Sequence, residues 1–175
     1  MTALLLAAAL SAGPVESVTD VDGATHAIDG PAVFVFVKTK CPIANYYQPT
    51  LRRLAAEWGG DVTLVQVHTE SRVDAAAARA HRDEYDAAGV IVLDPDQRLI
   101  EAFDATVTPE SVVVDASGDV RYQGRVDDTY LAFGKRRQVA TSRDLANAVA
   151  AVLSGGPVPA AKTEAVGCRI RRRGT

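Results

Sequence analysis

Runs of apolar residues separated by turn signals predict alternating strands and helices along most of the chain. The run at 32–37 is unbroken and rich in β-branched and aromatic residues, which is typical of a central strand buried on both faces. Pro31 precedes this run and has no N–H to donate to a ladder, which fits the start of a strand. Shorter apolar runs predict two further buried strands at 62–67 and 90–93.

Between and after these strands, apolar positions recur at helical spacing. The predicted helices cover residues 43–58, 73–87, 95–103 and 141–153. Pro49 interrupts the first pattern, so we expect a kink near Tyr46 or a late start of that helix. The last helix has Thr141 and Ser142 as candidate N-caps.

Two hairpins complete the pattern. An Asp-Gly turn predicts a hairpin within residues 18–28, and a Gly-Asp turn joins segments 111–115 and 120–126 into a second one. Alternating β and α units followed by an antiparallel hairpin predict an α/β domain. Its central sheet is expected to be mixed, with helices on both faces.

The length of 175 residues suits one domain with its own core. We expect this domain over residues 16–153, after a leader at 1–15 and before a tail at 154–175. The tail is rich in Gly, Pro and Ala and then in Arg, and is expected to be a flexible end.

The apolar run in the leader resembles the core of a secretory signal, although no Lys or Arg precedes it. If the run is a signal, the protein is extracytoplasmic (periplasmic or secreted). If it is a stray helix or a misplaced start, the protein is cytoplasmic. The run is too short to span a membrane, and no other segment is a candidate span.

Charge gives no reason to expect nucleic acid or an anionic membrane as a partner. Lys and Arg number 19 and Asp and Glu number 22, so the formal net charge is −3. Binding to either of those partners depends on an excess of positive charge.

Only two cysteines occur, Cys41 and Cys168, and no Cys/His spacing typical of a metal site accompanies them. Cys41 follows the central strand and precedes a helix, which is where α/β proteins place their sites. The helix N-terminus, Lys38 and Lys40 favour the thiolate, the reactive form of cysteine. Pro42 suits the first helical position. An inert buried cysteine is the alternative interpretation.

The residues around Cys41 carry a family resemblance. The segment Phe-Val-Phe-Val-Lys-Thr-Lys-Cys-Pro-Ile-Ala at 34–44 resembles the active-site segment of thioredoxin-like proteins. Cys41 matches the attacking cysteine of their Cys-x-x-Cys motif, whereas Ala44 stands where the second cysteine would be. The nearest subgroup is the redoxin family (alkyl hydroperoxide reductase and thiol-specific antioxidant, AhpC/TSA, type), particularly its Cys-Pro-Ile-Ala-Asn members. The resemblance covers most of residues 16–153 and implies a thioredoxin-like three-layer α/β/α sandwich with an N-terminal β-hairpin.

A second segment resembles the same superfamily. Thr108 and Pro109, just before a strand, resemble its cis-proline loop, which faces the attacking cysteine. The resemblance therefore implies a cis bond at Pro109 and a substrate groove formed by Pro42, Thr108 and Pro109. A peroxiredoxin has Thr where this chain has Lys38, which argues against peroxidase activity. The choice between peroxide reduction and disulfide exchange stays open.

The resemblance implies an antioxidant-type thiol-disulfide oxidoreductase of cell redox homeostasis, with no organic cofactor. Cys41 would attack as a thiolate. Cys168 would resolve the intermediate, form a structural bond that stabilises the fold by about 4–5 kcal/mol in the chain-entropy model, or stay unpaired. Spacing along the chain does not separate these roles. The implied partners are protein thiols and disulfides, or a small thiol or peroxide substrate; the oligomeric state is not predicted.

Other residues carry weaker signals. Lys40, Asn45 and Tyr46 are candidates to support the sulfur or a bound substrate, with helix packing as the alternative for at least one of the adjacent tyrosines. His68 is expected to be a partly exposed residue at a strand end. The charges after the second hairpin are expected to be solvated: Arg125, Asp127 and Asp128.

Two alternative functions stay open. A thioredoxin-fold copper or haem chaperone would use Cys41 as a ligand. Copper chaperones of this fold carry a Cys-x-x-x-Cys pair, whereas this chain has Asn45 where the second cysteine would be. Because the three histidines are scattered along the sequence, no metal site is assigned. A degenerate redoxin that only binds proteins is the other alternative.

Overall fold

The computed structural model describes residues 15–173, and the apolar leader run lies outside the described residues. The strands are β1 Ser17–Thr19, β2 Thr25–Ala27, β3 Ala32–Val37, β4 Thr63–His68, β5 Val90–Leu93, β6 Val107–Thr108, β7 Glu110–Val114, β8 Val120–Gly124, β9 Tyr130–Ala132, β10 Lys135–Arg136 and β11 Cys168–Arg169. The helices are α1 Pro42–Tyr46, α2 Gln48–Trp58, α3 Ala75–Tyr85, α4 Arg98–Phe103 and α5 Asp144–Leu153. None of these helices has the length and apolar character needed to cross a membrane.

Five strands form the central sheet, in the order β5-β4-β3-β7-β8. β3 and β5 both run parallel to β4, whereas β7 is antiparallel to β3 and to β8. The sheet is therefore mixed, as predicted. β3 lies at its centre, which explains why the sequence of this strand is an unbroken apolar run.

Alternate side chains of β3 point into two apolar layers. Val33, Val35 and Val37 pack with residues of α2 and α5 on one face, whereas the two phenylalanines of the strand pack with residues of α4 on the other. The result is the three-layer α/β/α sandwich that the resemblance implies. β1 and β2 form the N-terminal antiparallel hairpin, and its Val18 packs with the second layer.

The helix after Cys41 is broken, as the interruption at Pro49 predicts. α1 ends at Tyr46 and α2 begins at Gln48, with Pro49 in its first turn. Because proline cannot donate a helix hydrogen bond, the break restarts the helix at a position where its missing N–H costs nothing.

The predicted N-cap of the last helix is wrong. α5 begins at Asp144 after Arg143, which makes no side-chain capping hydrogen bond. The backbone N–H groups of Thr141 and Ser142 donate instead to the carboxylate of Asp128, at 2.7 and 2.9 Å. Asp128 is therefore a buried acceptor and not a solvated turn charge.

The neighbouring charges are also bonded. Asp127 accepts a hydrogen bond from the hydroxyl of Tyr47 at 2.6 Å, and Arg125 donates to Asp144 at 2.8 Å. The expectation of solvated charges fails here because their partners come from helices distant in sequence.

The C-terminal segment is not a flexible end over residues 161–173. Along the outer edge of β8, the N–H of Gln123 donates to the carbonyl of Ala161 at 2.9 Å, and the N–H of Thr163 donates to the carbonyl of Gln123 at 3.0 Å. Further on, β11 pairs antiparallel with β6, and Ile170 is buried in the second apolar layer. Composition could not predict this docking, because the segment has no periodic pattern and its partners lie far away in the sequence.

Candidate functional site

Cys41 is the N-cap of α1. Its backbone is extended (φ −87°, ψ 108°), and Pro42 follows as the first helical residue. The sulfur accepts a hydrogen bond from the backbone N–H of Ala44 at 3.4 Å. A turn closed by the N–H of Cys41 on the carbonyl of Lys38, at 3.2 Å, connects the site to the carboxyl end of β3.

The proline loop faces this sulfur. The peptide bond between Thr108 and Pro109 is cis, and both residues are buried. As a thiol, Cys41 donates to the carbonyl oxygen of Thr108 at 3.0 Å. Because β7 starts where the antiparallel β3 ends, the loop and the helix N-terminus meet at one edge of the sheet.

Cys168 reaches the same place from the other end of the chain. In the β6–β11 pair, Cys168 lies opposite Thr108, and the Thr108 hydroxyl donates to the Cys168 carbonyl at 3.3 Å. Gly167 fits where no side chain could, since a Cβ there would lie 2.1 Å from the Thr108 carbonyl oxygen. The thiols of Cys41 and Cys168 are both free and lie close enough to shift each other's pKa.

The proximity of the two thiols moves their pKa values apart. Burial raises the pKa of Cys41, but the Cys168 thiol, the Thr108 side chain and the backbone N–H groups of Ala44 and Cys168 outweigh burial, so the pKa lies below its ordinary value. Burial, the hydrogen bond with Cys41 and the charge of that sulfur raise the pKa of Cys168 to about 11, against the opposing effect of Lys38. Cys41 is therefore the thiol that ionises first.

Cys41 is only 1% exposed. Apolar side chains do not account for all of this burial, because Thr108 and the tail residue Cys168 also lie against the sulfur. The tail is therefore part of what closes this sulfur to solvent.

The charged and proline candidates lie around the turn. The ammonium of Lys38 donates to the backbone carbonyl of Arg169, which ties the turn to the tail. Lys40 and Pro42 are exposed on either side of Cys41 in sequence, and Lys40 lines a cleft beside the turn.

Asn45 supports the turn rather than the sulfur. Its amide nitrogen donates to the carbonyl of Thr39 at 2.9 Å, and its amide oxygen lies 3.0 Å from Nε2 of His81. Thr39 in turn donates its N–H and hydroxyl to Glu70, at 2.9 and 2.8 Å. Together these bonds fix the residues that precede Cys41.

The expectation that His68 is partly exposed is wrong. β4 runs one residue further than predicted, so His68 pairs with Val37 and Leu93 inside the sheet and is 1% exposed. Its ring lies 5.1 Å from that of His81, and its Nδ1 has no hydrogen-bond partner among residues 15–173, with Glu70 nearest at 3.7 Å.

Tyr46 belongs to an exposed aromatic group. Its ring is 41% exposed and packs edge-on against Tyr47 and Tyr130, with centroids 5.5 and 5.4 Å apart, while Arg136 lies over it at 5.0 Å. Tyr47 is buried, so helix packing holds for one of the two tyrosines, as expected. No contact joins Tyr46 to the sulfur among the described side chains.

The histidines do not form a metal site with the thiols. His68 and His81 meet, but His26 pairs with Asp20 at 2.7 Å near the hairpin. Within the described part of the chain, no three His, Cys, Asp or Glu side chains are grouped as the ligands of one metal ion would be.

Residues that hold the tail escaped prediction from the sequence. Gln97 binds it on both sides: its amide donates to the Arg171 carbonyl and accepts from the Arg173 N–H, each at 2.7 Å. Ile170 anchors the tail by burial. In the sequence, the one indication that the tail docks is Gly167 next to a cysteine, in a segment otherwise rich in Arg. This indication is weak.

Solved structures share this architecture. A hypothetical protein from Sinorhizobium meliloti 1021 is 21% identical and matches with a TM-score of 0.79 over 97% of each chain. A thiol:disulfide interchange protein of the thioredoxin family from Chlorobium tepidum is 19% identical, with a TM-score of 0.61 over 82% of this chain and 96% of the other. A secreted disulfide oxidoreductase of Mycobacterium tuberculosis is 26% identical, with a TM-score of 0.56 over 77% of this chain and 94% of the other. The fold is therefore thioredoxin-like, of the kind found in thiol-disulfide oxidoreductases.

Sequence comparison agrees with the fold. No curated protein matches the chain. The AhpC/TSA family model matches residues 14–123, which is more than half of the sequence and includes Cys41 and the proline loop. The chain belongs to the AhpC/TSA family.

Proposed function

We propose that this protein is a thiol-disulfide oxidoreductase in which Cys41 attacks the substrate and Cys168 resolves the intermediate. The observation that carries the proposal is the meeting of both thiols at the cis-proline loop. Cys41 donates to the Thr108 carbonyl at 3.0 Å, and Cys168 lies opposite Thr108 in the β6–β11 pair. The tail thus supplies the second thiol that a local motif lacks at Ala44.

The first step is attack by the Cys41 thiolate on a substrate disulfide R–S–S–R′. A bond forms between the Cys41 sulfur and the sulfur of R, and the S–S bond of the substrate breaks. The thiolate R′–S⁻ leaves and takes a proton from water. The hydrogen bonds that lower the pKa of Cys41 raise the fraction of thiolate available for this step.

The second step is attack by Cys168 on the Cys41 sulfur of the mixed disulfide. Cys168 loses its proton, a Cys41–Cys168 bond forms, and R–S⁻ leaves. Two electrons have then passed from the protein dithiol to the substrate disulfide. An external dithiol reductant returns the protein to its starting state by the reverse exchange.

In this proposal, Thr108, Pro109 and Pro42 form the walls of the groove in which the substrate sulfur lies. The tail fills that groove in the resting protein, so the tail opens for the first step and returns for the second. Lys40, Asn45 and Tyr46 do not touch the reacting atoms; Asn45 acts as a positioning residue for the turn through its bonds to Thr39 and His81.

The related structures support the choice of substrate and of cellular location. The Chlorobium tepidum protein is described as a thiol:disulfide interchange protein, and the Mycobacterium tuberculosis protein as a secreted disulfide oxidoreductase. We therefore assign this chain a disulfide substrate, carried by a protein or by a small thiol compound, and an extracytoplasmic location.

The test is the stoichiometry of reaction with an aromatic disulfide, 5,5′-dithiobis(2-nitrobenzoate). The reduced protein is expected to release about two equivalents of the coloured thiolate and to end as the internal disulfide. The Cys168→Ser variant is expected to release about one equivalent and to keep the adduct on Cys41, as read by intact mass. The Cys41→Ser variant is expected to react slowly, because burial still raises the pKa of the remaining thiol and the thiol that ionises first is gone.

A wild-type protein that stops at a stable adduct on Cys41 would exclude the resolving role of Cys168. A protein whose Cys41 reacts no faster than a thiol of ordinary pKa would exclude catalysis by this site and leave only protein or metal binding.

A further inference from the structure

A basic cleft of about 640 Å³ lies beside the turn that carries Cys41. Its walls come from four separate parts of the chain: the turn at 38–40, the loop at 69–73 after β4, Gln97 before α4, and Arg171 of the tail. A volume of this size is within the range of sites for small ligands. The cleft therefore has room for a compact molecule next to the thiols.

Four cations line this cleft, Lys38, Lys40, Arg72 and Arg171, against a single carboxylate. That carboxylate, Glu70, is already bonded to the N–H and hydroxyl of Thr39, at 2.9 and 2.8 Å. The cleft is thus strongly positive in a chain whose formal net charge is −3.

Three of these cations are available to a ligand. Lys40, Arg72 and Arg171 are exposed, and none of them has an ion-pair partner within residues 15–173. The other arginines at the end of the tail differ, since Arg172 and Arg173 pair with Asp104 and Asp96, at 2.7 and 3.0 Å. Cations without partners around a concavity attract anions and raise their local concentration.

The cleft is adjacent to the reacting sulfurs. Lys38 is three residues before Cys41, its ammonium bonds to the Arg169 carbonyl, and its charge acts on Cys168. Arg171 follows Cys168 by three residues. A molecule held here lies between the Cys41 turn and the tail.

We propose that this cleft selects the substrate by charge, so that the preferred substrate is a small disulfide bearing carboxylates near its sulfurs. The proposal rests on the proposed function, because it describes the substrate of the same Cys41 thiol. One sulfur of the disulfide reaches Cys41 while its carboxylates lie beside Lys40 and Arg72, on the walls of the cleft that do not belong to the tail.

The test compares sulfenylating reagents of opposite charge on the reduced Cys168→Ser protein, where only Cys41 can react. Sulfonatoethyl methanethiosulfonate is the anion and trimethylammonioethyl methanethiosulfonate the cation; each transfers its thioalkyl group to Cys41 and releases methanesulfinate. The rate of each reagent with Cys41 is divided by the rate of the same reagent with free 2-mercaptoethanol. The normalised rate is expected to be about tenfold higher for the anion at low salt, and the preference is expected to shrink in about 0.5 M salt. Glutathione disulfide and cystamine repeat the comparison with true disulfides of opposite charge.

Arg72→Ala is the informative variant, since Arg72 belongs neither to the turn nor to the tail. It is expected to lower the preference for the anion about threefold. Arg121→Ala is the matched control: Arg121 pairs with Asp115 at the opposite end of the sheet, and its loss is expected to leave the preference unchanged.

Equal normalised rates for the two reagents, or a faster cation, would overturn the proposed selectivity while the function of Cys41 stands. A Cys41 that reacts with neither reagent would overturn the function itself.

Discussion

At the scale of single residues, the site depends on the electrostatic coupling of two thiols that are far apart in sequence. The Cys168 thiol lowers the pKa of Cys41, whereas burial and the Cys41 sulfur raise the pKa of Cys168 to about 11. Titration of the two groups is therefore linked, and the first proton lost belongs to the pair. In the proposed reaction, one residue of the tail both activates the nucleophile and stays protonated until the second step.

Removal of the Cys168 thiol is expected to raise the pKa of Cys41. In Cys168→Ala, burial keeps disfavouring the thiolate while the strongest opposing hydrogen bond is lost. The midpoint of iodoacetamide alkylation against pH is expected to move upward from its wild-type position, as followed by the mass of the Cys41 peptide.

Cys168→Ser is the matched control for that shift, because a hydroxyl keeps a donor at the same place. Its midpoint is expected to lie between those of the wild type and Cys168→Ala. Identical midpoints in all three proteins would show that the tail thiol does not act on Cys41.

At the scale of elements, β11 is a two-residue strand whose position depends on the absence of a side chain before it. Gly167 lies against the proline loop, and a Cβ there would also lie 2.6 Å from the Thr108 carbonyl carbon. Backbone atoms of a buried loop cannot give way as the end of a flexible side chain can. A side chain at this position therefore displaces β11 and the thiol that it carries.

Gly167→Ala is expected to slow resolution rather than attack. The first equivalent of nitrothiobenzoate should still be released, whereas the rate of the second should fall about tenfold or more because Cys168 is no longer held at the Cys41 sulfur. The free energy of unfolding in urea is expected to fall by only about 1 kcal/mol, since the change strains a peripheral strand.

Gly60→Ala provides the comparison, because no atom lies within 4 Å of a Cβ built at Gly60. It should release both equivalents at the wild-type rate. A Gly167→Ala protein with an unchanged second phase would mean that the β6–β11 pair does not position Cys168.

The elements also show which features a sequence can predict. β3 and β5 have the predicted bounds, because a buried strand must be apolar on both faces and that requirement is local. The cap of α5 was mispredicted because its neighbours bond to Asp128 across space. At the candidate site, the position of Cys41 follows from the strand and helix around it, whereas the docking of Cys168 depends on contacts with Gln97 and Thr108 that no local pattern encodes.

At the scale of the whole molecule, the tail is at once the source of the second thiol and the cover of the first. The core of the sheet buries β3 completely, whereas the tail is anchored by one buried apolar side chain, Ile170, a few backbone hydrogen bonds and exposed ion pairs. Segments with few buried apolar contacts open at a lower free energy than the whole fold. We therefore expect the tail to open, and to expose Cys41, without unfolding of the rest of the domain.

Opening of the tail is expected to control access to Cys41, and urea can separate it from global unfolding. In Cys168→Ser, labelling of Cys41 by uncharged methyl methanethiosulfonate should hardly depend on urea at low concentrations, because local opening exposes little surface. Ile170→Ala should speed this labelling about tenfold or more by removing contacts of the one apolar side chain that is fully buried among tail residues 154–173. Ile91→Ala removes apolar contacts with Val21 and Ala78, in a cluster that contains no tail residue, so it should lower global stability and leave the low-urea rate unchanged. If labelling instead follows the full urea dependence of unfolding in all three proteins, the tail is not a cover that opens, and folded Cys41 is closed to any substrate.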